Sequence, residues 1–411
     1  MNTSPLFLNI GVLTGLIIWV SLINLCKPRV IKLNLILLGS IIFYLLFAGF
    51  QQFLIILFLT LTTFYFARSK KRPFIYLGVF LNLASILFSK WLISIDSSNN
   101  MSLKNWIPLG VSFFVFEFVH YLVEIKRGMD PETNLFRFLT FSFFFPTVVS
   151  GPIRRFPSFQ ENIIKLERPT WNQIETGLTY IALGFIYKFL GDYCAVIQER
   201  SYSQGDFVGI DDGKFLILST TFRIFLDFAG YSYIAIGISR LIGINLPRNF
   251  NAPYLSTSII DFWNRWHISL SLWVRDYLYI PLGGSRVALS RQSLNLFLSM
   301  IVIGLWHGLG IQFVVWGGLQ GLALMINHTF RRFNRPQMRL EPENRAIPPK
   351  IKRVKARQLA SINVKKDHIL VTMISWLLTF SFVSLSWLFF FYPPLEALRI
   401  IDSVFLQGVN L

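Results

Sequence analysis

Long apolar runs, several of them near the length that crosses a lipid bilayer, constrain this chain more than any other feature. The run from Phe74 to Ile93 is typical, and a helix needs about 20 apolar residues to span the hydrocarbon core. Charged residues make up only 15% of the 411 residues, whereas soluble domains contain about 25%. The sequence therefore predicts a polytopic membrane protein.

The spanning segments are predicted to be helices. Backbone groups without hydrogen bonds are costly in lipid, so only helices and closed barrels cross it. The apolar runs lack the alternation of barrel strands, as the segment 74–93 illustrates. We expect an all-α membrane protein with about ten or eleven transmembrane helices, together with amphipathic and re-entrant segments.

The positive charges predict an orientation. The net charge is +18, and basic turns at 27–32 and 68–72 alternate with weakly charged ones. By the positive-inside rule these turns are cytoplasmic and the N-terminus lies outside. The richest basic segment, 331–366, is then a cytoplasmic loop. Binding of anionic lipid headgroups or an acidic carrier protein is a second interpretation of this loop. Nucleic acid is not an expected partner.

One polar and aromatic segment, Asp261 to Arg286, interrupts the apolar sequence. Ser258 is suited to cap a helix that begins near Ile259. Tryptophans and a leucine then recur at three- and four-residue spacing, which predicts one amphipathic helix over 259–274. A turn follows at 279–284.

His307 lies alone in an apolar run. A histidine in a membrane span is a candidate functional residue, and neutral imidazole is a suitable general base. Gly304 and Gly308 either leave the imidazole accessible or let another backbone approach closely. A structural hydrogen bond between helices is the competing interpretation. The remaining histidines are better explained as structural or solvated: His120, His328 and His368.

Other polar residues in apolar segments have structural and functional explanations. Pro146 and Gly151-Pro152 predict that residues 150–155 form a cavity wall or a turn at the membrane edge. Arg223 and Asp227 are spaced to pair along one helix face. Neither Cys26 nor Cys194 has metal-ligand spacing, and no metal site is expected.

Seven motifs, taken together, are similar to the membrane-bound O-acyltransferase superfamily. The nearest branch is that of bacterial alginate O-acetylase and teichoic-acid D-alanyl transferase. The motifs are FWNRWHISLSLWVRDYLYIPLGG at 262–284, GLWHG at 304–308, IPLGVSFFVF at 107–116, FFPTVVSGPI at 144–153, LDFAGYS at 226–232, PRNFNAPY at 247–254 and WLFFF at 387–391.

The resemblance implies three regions and a site. Residues 1–106 would be N-terminal transmembrane helices, 107–392 a catalytic core that includes the basic loop 331–368, and 393–411 an amphipathic tail. His307 would be the catalytic histidine and His267 its partner, in a central funnel or tunnel. The residues expected to bind substrate are Asn264, Arg265, Trp266, Arg275, Asp276 and Trp306.

The implied reaction uses a co-substrate and no bound cofactor. An acyl thioester, acetyl-CoA or an acyl carrier protein, would deliver an acyl group from the cytoplasm to hydroxyls of an extracytoplasmic polysaccharide. His307 would be the general base. A periplasmic or extracellular acyltransferase is an expected partner, and the plasma membrane with its lipids is the expected location. D-alanyl transfer to teichoic acid-like polymers and a transporter or flippase of an envelope precursor remain alternatives.

Overall fold

In the computed structural model, residues 10–95, 106–203, 210–333 and 368–405 are described, and no β-strand occurs among them. Their α-helices, numbered in chain order, are α1 Ile10–Leu25, α2 Arg29–Ala48, α3 Phe50–Ser69, α4 Arg72–Ile95, α5 Val111–Lys126, α6 Leu135–Phe143, α7 Phe156–Ile164, α8 Trp171–Ser203, α9 Ile210–Ile242, α10 Ile259–Arg265, α11 Ile268–Val274, α12 Leu289–His307, α13 Ile311–Phe333, α14 His368–Phe391 and α15 Pro394–Phe405.

The helices confirm an all-α, multi-pass membrane protein. Among the described residues, seven helices are long and apolar enough to cross a bilayer: α2, α3, α4, α8, α9, α12 and α14. The expected number, about ten or eleven, was larger because it counted every apolar run. Some of those runs form shorter helices, such as α5 with 16 residues.

The apolar segment 135–150 does not form a membrane-spanning helix. Helix α6 has only nine residues, Leu135–Phe143, and irregular turns follow. Pro146 supplies no backbone N–H, and Gly151-Pro152 opposes a helix again shortly afterwards. The segment is nevertheless buried in protein, because every residue from 144 to 149 is buried.

Buried apolar side chains form two clusters that meet at two tryptophans. One cluster contains residues of α1 to α7 and of α9. The other is built mainly from α9 to α15. Trp273 and Trp306 pack against both clusters, and the Trp273 indole N–H donates to the carbonyl of Phe116 at 2.8 Å. The seam between the clusters therefore runs beside the two motifs that contain His267 and His307.

Helices α8 and α9 approach closely through small residues. A Cβ built on Gly184 would lie 2.8 Å from the carbonyl oxygen of Gly230, closer than a real side chain allows. Small residues at such crossings let two membrane helices pack backbone to backbone. Helices α8 and α9 therefore pack closely side by side.

The predicted pairing of Arg223 with Asp227 is wrong. Asp227 on α9 forms an ion pair with Lys188 on α8, and Arg223 donates to the Gln198 side-chain oxygen at 2.6 Å. Both partners lie on the neighbouring helix, because the helix faces that carry the charges pack against α8. These polar contacts join α8 to α9 instead of bracing α9 alone.

Residues 150–155 pack against the protein core. Gly151 to Arg154 are buried, and the backbone N–H of Ile153 donates to Ser269 Oγ at 3.1 Å. Arg154 forms an ion pair of 2.6 Å with Glu117, and both side chains are at most 4% exposed. The segment thereby connects α5 to α11.

Most of the predicted basic loop 331–368, residues 334–367, lies outside the described residues, and so does the polar segment 96–100. The predicted amphipathic tail, 393–411, is described as far as Phe405 and forms α15 there.

Candidate active site

The predicted amphipathic helix over 259–274 is two helices, α10 and α11, that break at His267. Ser258 caps α10 as expected, its Oγ accepting from Asp261 N at 3.2 Å. The break occurs where His267 adopts left-handed backbone angles, φ 41° and ψ 55°. For a residue other than glycine this conformation costs about 1–3 kcal/mol, and such residues concentrate at functional sites.

Loop 247–254 supplies the hydrogen bonds that stabilise the break. The carbonyl of Asn249 accepts from Ile268 N at 2.9 Å, and the N–H of Asn251 donates to Arg265 O at 3.0 Å. Backbone groups that a continuous helix would pair internally are therefore paired with the loop. The PRNFNAPY motif and the WNRWHIS motif are thus held together as one structural unit.

The side chain of Asn249 fixes the proton on the His267 ring. Asn249 Oδ1 lies 3.1 Å from His267 Nδ1 and also accepts from the Ser269 hydroxyl and backbone N–H. A backbone N–H can only donate, so the amide oxygen faces this side. Nδ1 of His267 therefore carries the proton and donates it to Asn249, which leaves Nε2 with a lone pair.

Nε2 of His267 is buried and has no hydrogen-bonding partner among the described residues. The histidine is 2% exposed, and the Phe228 ring lies edge-on to the imidazole at 4.7 Å. A buried polar atom without a partner is destabilising. Such an atom in a native structure is a candidate contact for a ligand.

His307 is the last residue of α12, and its imidazole is surrounded by aromatic rings. Ring centroids of Trp306, Phe390 and Trp316 lie 4.3, 4.7 and 5.4 Å away. Neither ring nitrogen has a hydrogen bond within the described part of the chain, and the residue is only partly buried. The interhelical hydrogen bond considered as an alternative is therefore absent among the described residues.

The Trp306 ring lies close to both histidines. Its ring centroid is 4.3 Å from that of His307 and 6.5 Å from that of His267. Its indole N–H is a second buried polar group without a partner among the described residues. The fold thus brings together a lone pair on His267, a donor on Trp306 and the unpaired imidazole of His307.

Helices α12 and α13 approach closely beside His307. A Cβ built on Gly304 would lie 2.2 Å from the Phe313 carbonyl oxygen, and one on Gly317 would lie 2.6 Å from that of Met300. Of the two roles considered for Gly304, the structure selects close backbone approach. This crossing positions the Gly308–Gly310 turn and the aromatic rings around His307.

A cavity of about 340 Å³ lies among α10, α11, α12 and α13. Asn264 and Arg275 line its polar part, and Trp263 and Ile303 line its apolar part. The Trp263 and Trp316 rings are 6.1 Å apart, and Trp316 contacts His307. Neither His267 nor His307 lines the cavity, which is connected to His307 through the contact of Trp263 with Trp316.

The remaining predicted site residues have partners other than the two histidines. Trp266 packs in the core, 5.0 Å from Trp387, and Arg265 pairs with Asp261 at 3.0 Å. Asp276 pairs with Arg155 and with Arg275, both at 2.7 Å. Burial alone would raise the pKa of Asp276, but hydrogen bonds from Arg275 and Arg155 hold that pKa below its usual value.

Two residues of the site were not predicted. Asn249 belongs to a recognised motif, but only the fold places it against His267. Lys90 of α4 donates to the carbonyl of His307 at 2.7 Å, a favourable position for a cation at a helix C-terminus. The signal for Lys90 was present, because it is the one charged residue within the run 74–93.

Among the described residues, no three His, Cys, Asp or Glu side chains are grouped so that they could hold a metal ion.

Comparison with known proteins gives consistent matches. The sequence model of the membrane-bound O-acyltransferase family matches residues 34–364. A probable alginate O-acetylase of Pseudomonas putida is 37% identical over 275 residues, covering 64% of this chain and 56% of the relative. The peptidoglycan O-acetyltransferase of Helicobacter pylori is 29% identical over 380 residues, covering 83% and 66%.

A third relative acts on a different polymer. The teichoic acid D-alanyltransferase of Bacillus subtilis is 34% identical over 258 residues, covering 58% of this chain and 62% of the relative. The chain spans about half the length of the curated alginate O-acetylases that it matches.

Proposed function

The chain belongs to the membrane-bound O-acyltransferase family, and we propose that it moves an acyl group, with acetyl preferred, from a thioester to hydroxyls of an envelope polysaccharide. One observation carries the proposal: the Trp306 ring lies close to both His267 and His307, and each histidine presents a ring nitrogen without a partner among the described residues. Such a pair suits proton transfer and the orientation of a hydroxyl.

His307 is the general base of the proposed reaction. It takes the proton of the acceptor hydroxyl as that oxygen attacks the thioester carbonyl. The carbon–sulfur bond then breaks, and the proton passes to the departing thiolate. The products are an ester and a free thiol, and His307 returns to its neutral form. The aromatic rings around the imidazole limit the access of water, which would otherwise compete for the acyl group.

His267 and Trp306 take complementary roles. Because His267 Nδ1 donates to Asn249, Nε2 is an acceptor and suits the acceptor hydroxyl better than an oxyanion. The indole N–H of Trp306 is a donor, and donors aimed at developing negative charge stabilise the tetrahedral intermediate. His267 therefore orients the nucleophile, and Trp306 contacts the thioester oxygen.

The cavity beside α12 is the proposed route of the donor. Its volume, about 340 Å³, is at the lower end of the usual range for ligand pockets. That space fits a pantetheine arm better than a whole nucleotide or carrier protein, so the remainder of the donor would stay outside. Asn264 and Arg275 line the cavity and are available to the amides of such an arm.

The proposed topology follows the charges. With the basic turns inside, donor entry is cytoplasmic and His307 lies toward the outer side of the plasma membrane. The acceptor polymer approaches from that side. A partner acyltransferase outside the membrane is consistent with a relay of acyl groups to longer polymers.

Acetyl transfer is preferred because alginate and peptidoglycan O-acetylating relatives match the chain. D-alanyl transfer is the second candidate, since two teichoic acid D-alanyltransferases are 33% and 34% identical to this chain over the matched residues.

The experiment offers the purified protein either acetyl-CoA or a D-alanyl carrier thioester, each with soluble alginate or teichoic acid as acceptor. We expect release of thiol that depends on acceptor, together with formation of polymer ester from the acetyl donor. Ester formation only from the D-alanyl thioester would select the second candidate. Consumption of neither thioester, by protein that remains folded, would contradict the proposal and favour a transporter.

A larger side chain in the cavity tests the proposed role of the cavity in donor binding separately from the catalytic role of the histidines. Ser299 lines the cavity and is buried, so Ser299→Leu should raise the KM for the thioester and change kcat less. Leu298 is on the same helix and is 41% exposed, so Leu298→Ala is the matched control and should change neither constant.

A further inference from the structure

An open basic pocket of about 480 Å³ lies where α1 ends and α2 begins, apart from the candidate active site. Lys27, Arg29, Lys32 and Arg168 line it, with Glu167 as the one acidic lining residue. None of these five side chains forms an ion pair with another described residue. The pocket therefore concentrates positive charge that the described protein does not neutralise.

Lys32 is the unusual member of this group. Only 1% of its surface is exposed, and it has no side-chain hydrogen bond or ion pair within the described ranges. Lysine is almost never fully buried without a partner, because removing its charge from water is costly. Its small exposed part faces the pocket that it lines, so an anion in the pocket would supply the missing partner.

The backbone at this position also favours an anion. The α2 N-terminus has no side-chain cap, and its first turn contains Arg29 and Lys32 but no acidic residue. A helix N-terminus carries partial positive charge, so cations there are unfavourable and anions favourable. Phosphate groups bind readily at such ends. Four cations around an uncapped N-terminus therefore match a phosphate better than a carboxylate side chain of the protein.

The surroundings of the pocket indicate that the phosphate belongs to a lipid. Leu25, Val30 and Ile31 are 71%, 68% and 47% exposed, and they border the basic residues at the end of two membrane helices. Acyl chains attached to a phosphate in the pocket would cover these side chains. We propose that the pocket binds the phosphodiester of an anionic diacyl lipid in the leaflet that meets the basic ends of α1 and α2.

The test follows the thermal midpoint of the purified full-length protein in detergent. Phosphatidylglycerol, phosphatidylcholine or inorganic phosphate is titrated into wild type, Lys32→Met, Arg29→Gln and Arg168→Gln. We expect phosphatidylglycerol to raise the wild-type midpoint more than phosphatidylcholine does. Each exposed-cation variant should bind it about fivefold more weakly, since a basic residue near an anionic lipid contributes about 1 kcal/mol.

The thermal midpoint of Lys32→Met, compared with that of wild type, should change in opposite directions without and with anionic lipid. Without anionic lipid its midpoint should equal or exceed that of wild type, because an unpaired buried charge is replaced by an apolar side chain of similar length. With phosphatidylglycerol the increase seen for wild type should be lost. A change in fold stability alone would not produce this reversal.

Lys71→Gln is the matched control, since Lys71 is an exposed cation at the basic end of α3 and α4. It should retain the wild-type response to phosphatidylglycerol. A loss as large as that of Lys32→Met would overturn the proposal by showing a general charge effect. An equal wild-type response to inorganic phosphate would overturn the assignment to lipid, and an unaltered response in all three pocket variants would overturn the site itself.

Discussion

The Nδ1 atom of His267 lies 3.1 Å from Oδ1 of Asn249, eighteen residues earlier in the chain. This hydrogen bond joins a strained helix junction to the loop that stabilises it. It also determines which nitrogen of His267 is available to substrate.

Removing the Asn249 side chain should impair catalysis through His267. Asn249→Ala deletes the acceptor that fixes the Nδ1 proton, and leaving a buried donor without its partner costs about 1–3 kcal/mol. We therefore expect kcat/KM for acyl transfer to fall by about 10- to 100-fold. Asn249→Asp keeps an oxygen acceptor and should retain more activity than Asn249→Ala.

Ser232→Ala is the control for Asn249. Ser232 accepts from the amide nitrogen of Asn249 at 3.1 Å and does not hydrogen-bond to His267. Its loss should affect activity less. Equal losses in Ser232→Ala and Asn249→Ala, or full activity in Asn249→Ala, would show that the tautomer of His267 is not important.

At the α12–α13 crossing, an added methyl group should be destabilising at Gly317 and tolerated at Gly318. Gly317→Ala places a Cβ 2.6 Å from the Met300 carbonyl oxygen, whereas at Gly318 the nearest atom is 3.8 Å away. Overpacking costs about 1–3 kcal/mol, so Gly317→Ala should lower the thermal midpoint. Gly318→Ala should leave it unchanged or raise it slightly, because alanine favours helix. A larger decrease for Gly318→Ala would contradict the packing.

Removing one partner of the buried ion pair Glu117–Arg154 should strongly destabilise the fold. Replacing both partners with apolar residues should destabilise it much less. Glu117→Ala leaves Arg154 with a buried charge and no counter-ion, which costs about 3–5 kcal/mol. The double variant Glu117→Leu with Arg154→Met removes both charges and should recover most of the lost thermal stability. Comparing the thermal midpoints of the two variants checks this. If the double variant is no more stable than Glu117→Ala, the cost does not arise from an unpaired charge.

The ion pairs of Asp276 should contribute stability that depends on pH. The folded-state pKa of Asp276 is lowered, so this contribution is complete above the ordinary aspartate pKa of about 4 and is lost as pH falls through the folded value. Asp276→Asn should therefore be less stable than wild type at pH 7, by about 1 kcal/mol. The difference in thermal midpoint should shrink below about pH 4. A constant difference at all pH values would contradict the assigned cause.

The sequence predicted the helical class and both histidines for different reasons. Apolar runs determine where helices can lie in lipid, so α4, Arg72–Ile95, covers the apolar run 74–93. The histidines were selected because one interrupts an apolar run and both belong to recognisable motifs, and their catalytic role stays a prediction. For the helical class, local sequence is sufficient.

Contacts between distant segments were not predictable in the same way. The helix break at His267 leaves the spacing of Trp263, Trp266 and Leu270 unchanged, so periodicity could not reveal it. Its cause is the backbone of Asn249 and Asn251. Likewise, Asp227 pairs with Lys188 because α8 packs beside α9. A single sequence contains no record of which helices become neighbours.

The activity of purified His307→Gln is the most direct test of the proposal that His307 is the general base. Acceptor-dependent release of thiol from acetyl-CoA and formation of polymer ester are measured beside wild type, with the thermal midpoint as the check on folding. Proton transfer by a positioned base contributes about 10²–10⁴-fold. We predict a loss of at least that size in both products with an unchanged midpoint. Near-normal ester formation by folded His307→Gln would contradict the central claim that His307 is the base.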